Sequence, residues 1–307
     1  MRIVFMGTPE FAVPSLRILL EHAYRVVGVV TAADKPAGRG LELSPSRIKL
    51  FATERGLKVL QPEKLKDPSF IAAIRELNPD VIVVVAFRIL PPDVYRIAGR
   101  GAFNLHASLL PRYRGAAPIN WAIIRGEKET GVTSFFLEET VDTGSVLLQA
   151  RVPIGPEETA GELHDRLAEV GAEIVLHTVR LIEAGKAKPR PQDASGATPA
   201  PKILKEHCRI DWSKSAAEVH NLVRGLSPRP TAFTGHDGSI LKIFRTKVAT
   251  DGRPAAAGTV LETDGKLIVS TGEGAVEVLE LQQEGKRKLP AGEFLRGYRI
   301  APGERLL

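Results

Sequence analysis

Three polar side chains in otherwise apolar surroundings have types and spacing suited to chemistry. Asn104 and His106 stand two apart in Ala102-Phe103-Asn104-Leu105-His106, a run that reads as a strand. Residues two apart on a strand face the same way. Asp142 lies in Glu139-Thr140-Val141-Asp142-Thr143-Gly144, a loop between two predicted strands. Transfer of an acyl group to an amine needs three such groups. An amide or charged imidazole donates to the oxyanion of the tetrahedral intermediate. An imidazole takes the proton of the amine. A carboxylate orients that imidazole and stabilises its charge. The trio supplies all three without a nucleophilic Ser or Cys. Each residue also has a plainer use: a strand His satisfied in a core, an Asn that forms a turn, an Asp that precedes one. Spacing alone does not choose between these readings.

The elements that must position the trio come from hydrophobic patterning. Ile3 to Met6, Val26 to Val30 and Val81 to Val85 are continuous apolar runs. Such runs belong to strands buried on both faces of a parallel sheet. Helical patterns alternate with them, which predicts a doubly wound, Rossmann-like α/β domain over residues 1–187. Ser44-Pro45 and Asp67-Pro68 each predict a helix start, with the first residue as cap. Strands are expected over Gly131 to Leu137 and Val146 to Ile154, and a long amphipathic helix over Gly161 to Glu183. Ligand sites in open α/β sheets lie beyond the carboxyl ends of strands, where Asn104 and His106 fall. The loop Met6-Gly7-Thr8-Pro9-Glu10-Phe11 follows a strand and opens a helix but has one glycine. A dinucleotide fingerprint needs three, so the loop is read as shaping a substrate pocket.

A segment rich in Pro, Ala and Gly predicts a linker over 188–206. Beyond it one helix is expected near Ala216 to Leu226. Short alternating strands follow at Ile240 to Thr246, Thr259 to Thr263, Lys266 to Ser270 and Ala275 to Leu281. They predict a smaller C-terminal β-barrel over 207–307, of oligonucleotide-binding (OB-like) type or another.

The whole chain carries a formal charge of +6, and residues 187–307 hold 19 Lys and Arg against 14 Asp and Glu. A basic appendage on a near-neutral body points to a polyanion such as nucleic acid, or to plain solvation. No apolar run approaches the roughly 20 residues of a membrane span. No signal peptide is recognised at the start. Cys208 is the one cysteine, which excludes an intrachain disulfide and a thiolate zinc cluster. A cytoplasmic protein, acting as a monomer, is expected.

The stretch Phe103-Asn104-Leu105-His106-Ala107-Ser108-Leu109-Leu110-Pro111-Arg112-Tyr113-Arg114-Gly115-Ala116-Ala117-Pro118-Ile119 resembles the signature of the formyl-tetrahydrofolate-dependent formyltransferases. Val141-Asp142-Thr143-Gly144 is similar to the segment carrying their catalytic Asp. Phe5 to Ala12, Asp34 to Gly40 and Arg209-Ile210-Asp211-Trp212 resemble the branch acting on tRNA. The resemblance implies transfer of a formyl group from 10-formyltetrahydrofolate to the α-amino group of methionine on initiator tRNA, without a metal. It implies that Asn104 and His106 stabilise the oxyanion and that His106 and Asp142 handle the amine proton. It implies folate contacts at Arg88, Ile89, Leu90, Ser108, Leu109, Leu110 and Pro111. Contacts with tRNA are implied at Lys35 and Arg39, in a loop with cations and glycines that can follow a phosphate backbone. Further contacts are implied at Lys202, Lys205, Lys286, Arg287 and Lys288.

Two departures stand out. Ala86-Phe87-Arg88-Ile89 is one residue shorter than the family's turn and lacks its glycine, and Thr231 replaces a frequent glycine. Rival readings are transfer to a nucleotide-linked amino sugar, hydrolysis of the formyl donor, and a non-catalytic RNA-binding protein. The Lys35 to Gly40 loop and the basic C-terminal domain favour tRNA over the sugar.

Overall fold

The computed structural model describes residues 1–37, 42–250 and 255–307, with backbone alone at 35–37 and 42–43. Strands and helices alternate from the start. β1 (Arg2–Gly7) leads into α1 (Val13–Glu21), then β2 (Arg25–Val30). The hairpin β3 (Lys35–Ala37) and β4 (Glu42–Ser44) precedes α2 (Arg47–Glu54) and the short β5 (Val59–Leu60). Next come α3 (Pro68–Leu77), β6 (Val81–Val85), α4 (Pro92–Tyr95) and β7 (Ala102–His106). After them follow α5 (Pro118–Ile124), β8 (Glu129–Phe136), β9 (Val146–Pro153) and α6 (Ala160–Glu183).

Among the described residues seven strands form one sheet in the order β5-β2-β1-β6-β7-β8-β9. The pairs from β5 to β7 are parallel, and β8 runs antiparallel to β7. The strand order reverses between β1 and β6, the switch point that opens a crevice in a doubly wound sheet. Register brings the carboxyl ends level there: Gly7 pairs with Val85, and Val85 with Leu105. Every residue of β6 is buried, as its unbroken Val-Ile run requires. A Cβ on Gly7 would lie 2.7 Å from Ala12 Cβ and 3.0 Å from the Val85 carbonyl oxygen. This glycine therefore serves close packing at the crevice.

The helix starts are partly as expected. Asp67 caps α3, accepting the Ser69 N–H at 2.8 Å, with Pro68 in the first turn. The start expected at Ser44 lies two residues later. Ser44 belongs to β4, opposite Lys35, and Ser46 caps α2 by accepting the Lys49 N–H at 3.1 Å. Ser46 Oγ is also 2.8 Å from Thr31 Oγ1, a second bond that favours it as cap.

The remainder holds α7 (Ala216–Leu226), β10 (Ala232–His236), β11 (Ser239–Val248), β12 (Val260–Glu262) and β13 (Leu267–Ser270). β14 (Ala275–Gln283), β15 (Leu289–Pro290) and α8 (Ala291–Gly297) complete it. The strands pair antiparallel in the order β10-β11-β14-β13-β12, with β15 on β14. The chain's last residues lie between the two edge strands. Leu307 exchanges N–H···O bonds of 2.7 and 2.8 Å with Gly235 of β10. On the other side Leu306 N–H donates to Gly258 and Val260 N–H to Glu304, both at 2.8 Å. The chain end thus bonds to both edge strands of the curled sheet and covers part of their free backbone.

The chain divides into two compact units that are discontinuous in sequence. One holds Met1–Gly115, Gly131–Val152 and His164–Pro199; the other holds Ala116–Thr130, Pro153–Leu163 and Ala200–Leu307. The segment expected as a linker is thus shared between them. α5 joins the second unit because it packs on α7, where Asn120 Nδ2 donates to the Gly225 carbonyl at 2.8 Å. The turn before α6 joins it because buried Arg224 of α7 donates to the carbonyls of Gly155 and Glu158, at 3.1 and 3.2 Å. Buried carbonyls require such partners, and sequence composition does not announce them.

Candidate active site

β7 carries Asn104 and His106 on one face, and His106 is its last residue. The imidazole is buried, with 7% of the residue exposed. Its Nε2 lies 2.8 Å from the carbonyl oxygen of Tyr113. A carbonyl only accepts, so Nε2 carries a proton and Nδ1 is the nitrogen left for chemistry. Nδ1 faces Asp142 Oδ2 at 3.8 Å. That distance is too long for a hydrogen bond and suits an ion pair once the imidazole is charged. Asp142 Oδ2 accepts the Gly115 N–H at 2.9 Å, which holds the carboxylate in place. Asn104 is half-buried, and among the described residues its amide has no hydrogen-bond partner, leaving its N–H groups for a ligand.

Both backbone positions beside His106 are left-handed without being glycine: Tyr113 at φ 60° and Asp142 at φ 56°. Such a conformation costs about 1–2 kcal/mol per residue and persists where the surroundings fix it. The surroundings here come from the segment after α6. Thr198 Oγ1 accepts the Tyr113 N–H at 2.9 Å, and the Thr198 carbonyl accepts the Arg114 N–H at 2.9 Å. Gln192 Nε2 donates to the carbonyls of Asp142 and Gly144, at 2.9 and 2.8 Å. Gln192 Oε1 accepts from Arg114 Nε and Nη2, at 3.2 and 2.7 Å. Sequence reading passed over Gln192, Thr198 and the Tyr113 carbonyl. The first two lie in a stretch whose composition reads as spacer, and the third is a backbone group.

The residues expected to meet folate fall into two loops. After β7, Ser108 is fully buried and its hydroxyl donates to the Arg112 carbonyl at 2.6 Å. The Ser108 carbonyl accepts from Thr133 Oγ1 at 2.6 Å, and Leu110 N–H donates to the same Thr133 oxygen at 3.1 Å. Leu110 is buried, while Leu109 and Pro111 are half-buried. After β6, Ala86 adopts φ 47°, a left-handed conformation that a residue with a Cβ takes only at a cost. Arg88 then turns back and donates to the carbonyls of Pro62 and Glu63, at 2.8 and 2.9 Å. Leu90 is buried, and Ile89 is 74% exposed. Tyr95, Arg96 and Leu137 to Thr140 line a surface depression of about 360 Å³ on the approach to the Asp142 loop.

Lys202, Lys205, Lys286, Arg287 and Lys288 are exposed on the second unit. Lys288 pairs with Glu280 at 2.8 Å and lies over the Phe244 ring. Arg39 lies outside the described residues, and Lys35 is described by its backbone in β3 alone. The root of that hairpin is anchored by Asp34, which pairs with Lys49 and accepts from Gln61 Nε2 at 2.8 Å. The Lys49 hydrogen bond, then that of Gln61, holds the Asp34 carboxyl below the usual carboxylate range. Among the described residues no His, Cys, Asp or Glu group of three or more converges as a metal site. No described helix is long and apolar enough to cross a membrane.

Comparison with known proteins gives a consistent pattern. The profile described as formyl transferase matches residues 1–179, and that described as formyl transferase, C-terminal domain, matches residues 202–299. A methionyl-tRNA formyltransferase of Chlorobium luteolum is 52% identical over 305 residues, covering 97% of each chain. Another, from Caldanaerobacter subterraneus subsp. tengcongensis, is 48% identical over 305 residues, covering 99% of each. Among solved structures, the sugar 3N-formyl transferase WlaRD superposes with a TM-score of 0.70 at 21% identity, over 94% of this chain and 99% of that one. HypX from Aquifex aeolicus in complex with tetrahydrofolic acid gives 0.65 at 22%, over 99% of this chain and 50% of that one. At such identities the likeness speaks for a shared fold.

Proposed function

The chain belongs to the formyl transferase family, on its methionyl-tRNA formyltransferase branch, and from that premise we propose that it transfers a formyl group from 10-formyltetrahydrofolate to the α-amino group of methionine on initiator tRNA. The observation that carries the chemistry is His106, held between the Tyr113 carbonyl and the Asp142 carboxylate with Nδ1 directed at the acid. The methionine amine attacks the formyl carbon, and a C–N bond forms. The developing oxyanion is met by the Asn104 amide. His106 Nδ1 takes the proton released by the amine, and Asp142 stabilises the resulting imidazolium. Collapse of the intermediate breaks the bond to N10 of the folate, and the proton passes from His106 to that nitrogen. Atoms and charge balance with no covalent enzyme intermediate.

On this reading the folate lies along the loops holding Arg88, Ile89 and Leu90 and Ser108 to Pro111. The buried hydroxyl of Ser108 acts there through the loop it closes. Lys35 and Arg39, together with the exposed cations at 202, 205 and 286–288, would follow the phosphates of the tRNA. An enzyme of translation initiation works in the cytoplasm.

The second reading, an amino sugar on a nucleotide, would use the same trio on the same fold. The basic excess of residues 187–307 and relatives near 50% identity argue against it. The test offers formyl-tetrahydrofolate with charged initiator tRNA, charged elongator tRNA and an amino-sugar nucleotide in parallel. Transfer confined to initiator methionyl-tRNA is expected. Transfer to the sugar alone would overturn the acceptor while keeping the catalytic trio.

A further inference from the structure

We propose that residues 190–199 form a positioning strap for the catalytic centre, in which Gln192 sets the Asp142 carboxylate against His106. This inference rests on the catalytic roles given above.

The strap is tied at three points, all within one compact unit. Arg190 and Val146 exchange N–H···O bonds of 2.8 and 2.9 Å, so the segment pairs with the start of β9, directly after the Asp142 turn. Gln192 comes next. Its amide is used to capacity, with two N–H donations to Asp142 and Gly144 carbonyls and two acceptances from Arg114. At the far end Thr198 binds the backbone of Tyr113 and Arg114. The strap thus holds both supports of His106: the turn presenting Asp142 and the carbonyl fixing Nε2. The turn itself has little room to relax, since a Cβ on Gly144 would lie 1.7 Å from the Phe136 carbonyl oxygen. Gln192 bonds the Asp142 backbone and does not contact the imidazole. It is a positioning residue, acting through the orientation of the Asp142 side chain.

The two faces of the Gln192 amide separate this role from a merely adhesive one. Gln192→Glu keeps an oxygen for Arg114 and loses both N–H donations to the Asp142 turn. If the residue only glued the strap to Arg114, this variant would retain activity. As a positioning residue it must fail as Gln192→Ala does. A misplacement of about 1 Å costs on the order of 100-fold in rate.

The experiment measures kcat and KM for both substrates in the full chain, for wild type, Gln192→Ala, Gln192→Glu, Asp142→Ala and the two double variants. Thermal unfolding serves as the folding control. The expected result is a kcat lower by about 10- to 100-fold in both single Gln192 variants, with KM within about threefold. In the Asp142→Ala background the same changes should cost less than about twofold, because a residue acting through Asp142 has nothing left to position. Wild-type kcat in Gln192→Glu, or an equal loss in both backgrounds, overturns the proposal. Wild-type protein inactive toward initiator methionyl-tRNA would instead sink the functional reading, a result visible before any variant is compared.

Discussion

The two nitrogens of His106 face different partners. Tyr113 offers a carbonyl that can only accept, and Asp142 offers a charge at 3.8 Å. In the mechanism we propose, this division leaves Nδ1 as the base, which predicts what its removal does. His106→Ala should lower kcat/KM by about 10²- to 10⁴-fold while tRNA affinity stays within about twofold. Single-turnover kinetics and filter binding measure the two separately. Retained turnover would refute the assignment, and joint loss of turnover and binding would make His106 a packing residue. Asn104, the other half of the pair, was legible as a candidate because two polar groups on one strand face are rare in a buried sheet. Its freedom from partners was not legible, because that depends on what every neighbouring segment does with its own polar groups.

Three helix starts in this protein, those of α3, α6 and α7, are held by carboxylates. Glu218 forms a capping box with Ser215 at the start of α7, accepting Ser215 Oγ at 2.7 Å and its N–H at 3.0 Å. The Ser215 hydroxyl first, and its backbone N–H second, hold the Glu218 carboxyl below the usual range. Asp67 and Glu162 are lowered in the same way, by Ser69 and by the Thr159 N–H. A group whose folded value is depressed binds its proton less readily when folded than when unfolded. Its stabilisation is complete above the ordinary carboxylate range and is lost as pH falls through that range toward the folded value. Tm measured against pH should therefore fall on the acid side. The gap between wild type and Glu218→Gln should be widest near neutrality and close as acid is added. A gap independent of pH would show that the cap acts through packing alone. Caps of this kind are local, within three residues, and sequence reading found Asp67 directly. Ser44 and Ser46 lie too close together for local rules to separate. The pairing of β4 with β3 decided between them.

The basic excess and the curled C-terminal sheet belong to the scale of the whole molecule. If the exposed cations of the C-terminal unit follow phosphates, tRNA affinity should fall with added salt. Replacing Lys286 and Arg287 by Ala should then reduce the slope of log affinity against log salt by about one per contact removed. Binding titrations over a range of salt test this, and an unchanged slope would remove those two residues from the interface. The barrel makes a separate prediction. Leu306 is buried on the segment that bridges β10 and β12, so Leu306→Ala should destabilise the C-terminal unit by about 2–5 kcal/mol. Denaturant unfolding followed by the fluorescence of buried Trp212 measures it. A loss under about 1 kcal/mol would show that the backbone pairing of the final residues outweighs their packing.

Patterning along the chain was enough to place the parallel strands other than the two-residue β5, the long amphipathic helix, α7 and most barrel strands. Apolar periodicity is imposed by which face each element buries, and that is written residue by residue. The candidate trio could also be read from side-chain type and from the end of one strand. The tertiary structure alone decided that Asp142 meets His106, that Gln192 and Thr198 brace them, that α5 and the turn before α6 join the C-terminal unit, and that the final residues bond to both edge strands. These contacts are made largely by backbone carbonyls and N–H groups, at Tyr113, Asp142, Gly144, Gly155 and Gly235. Every residue carries those groups, so no residue type marks them, and only the path of the folded chain selects which ones meet.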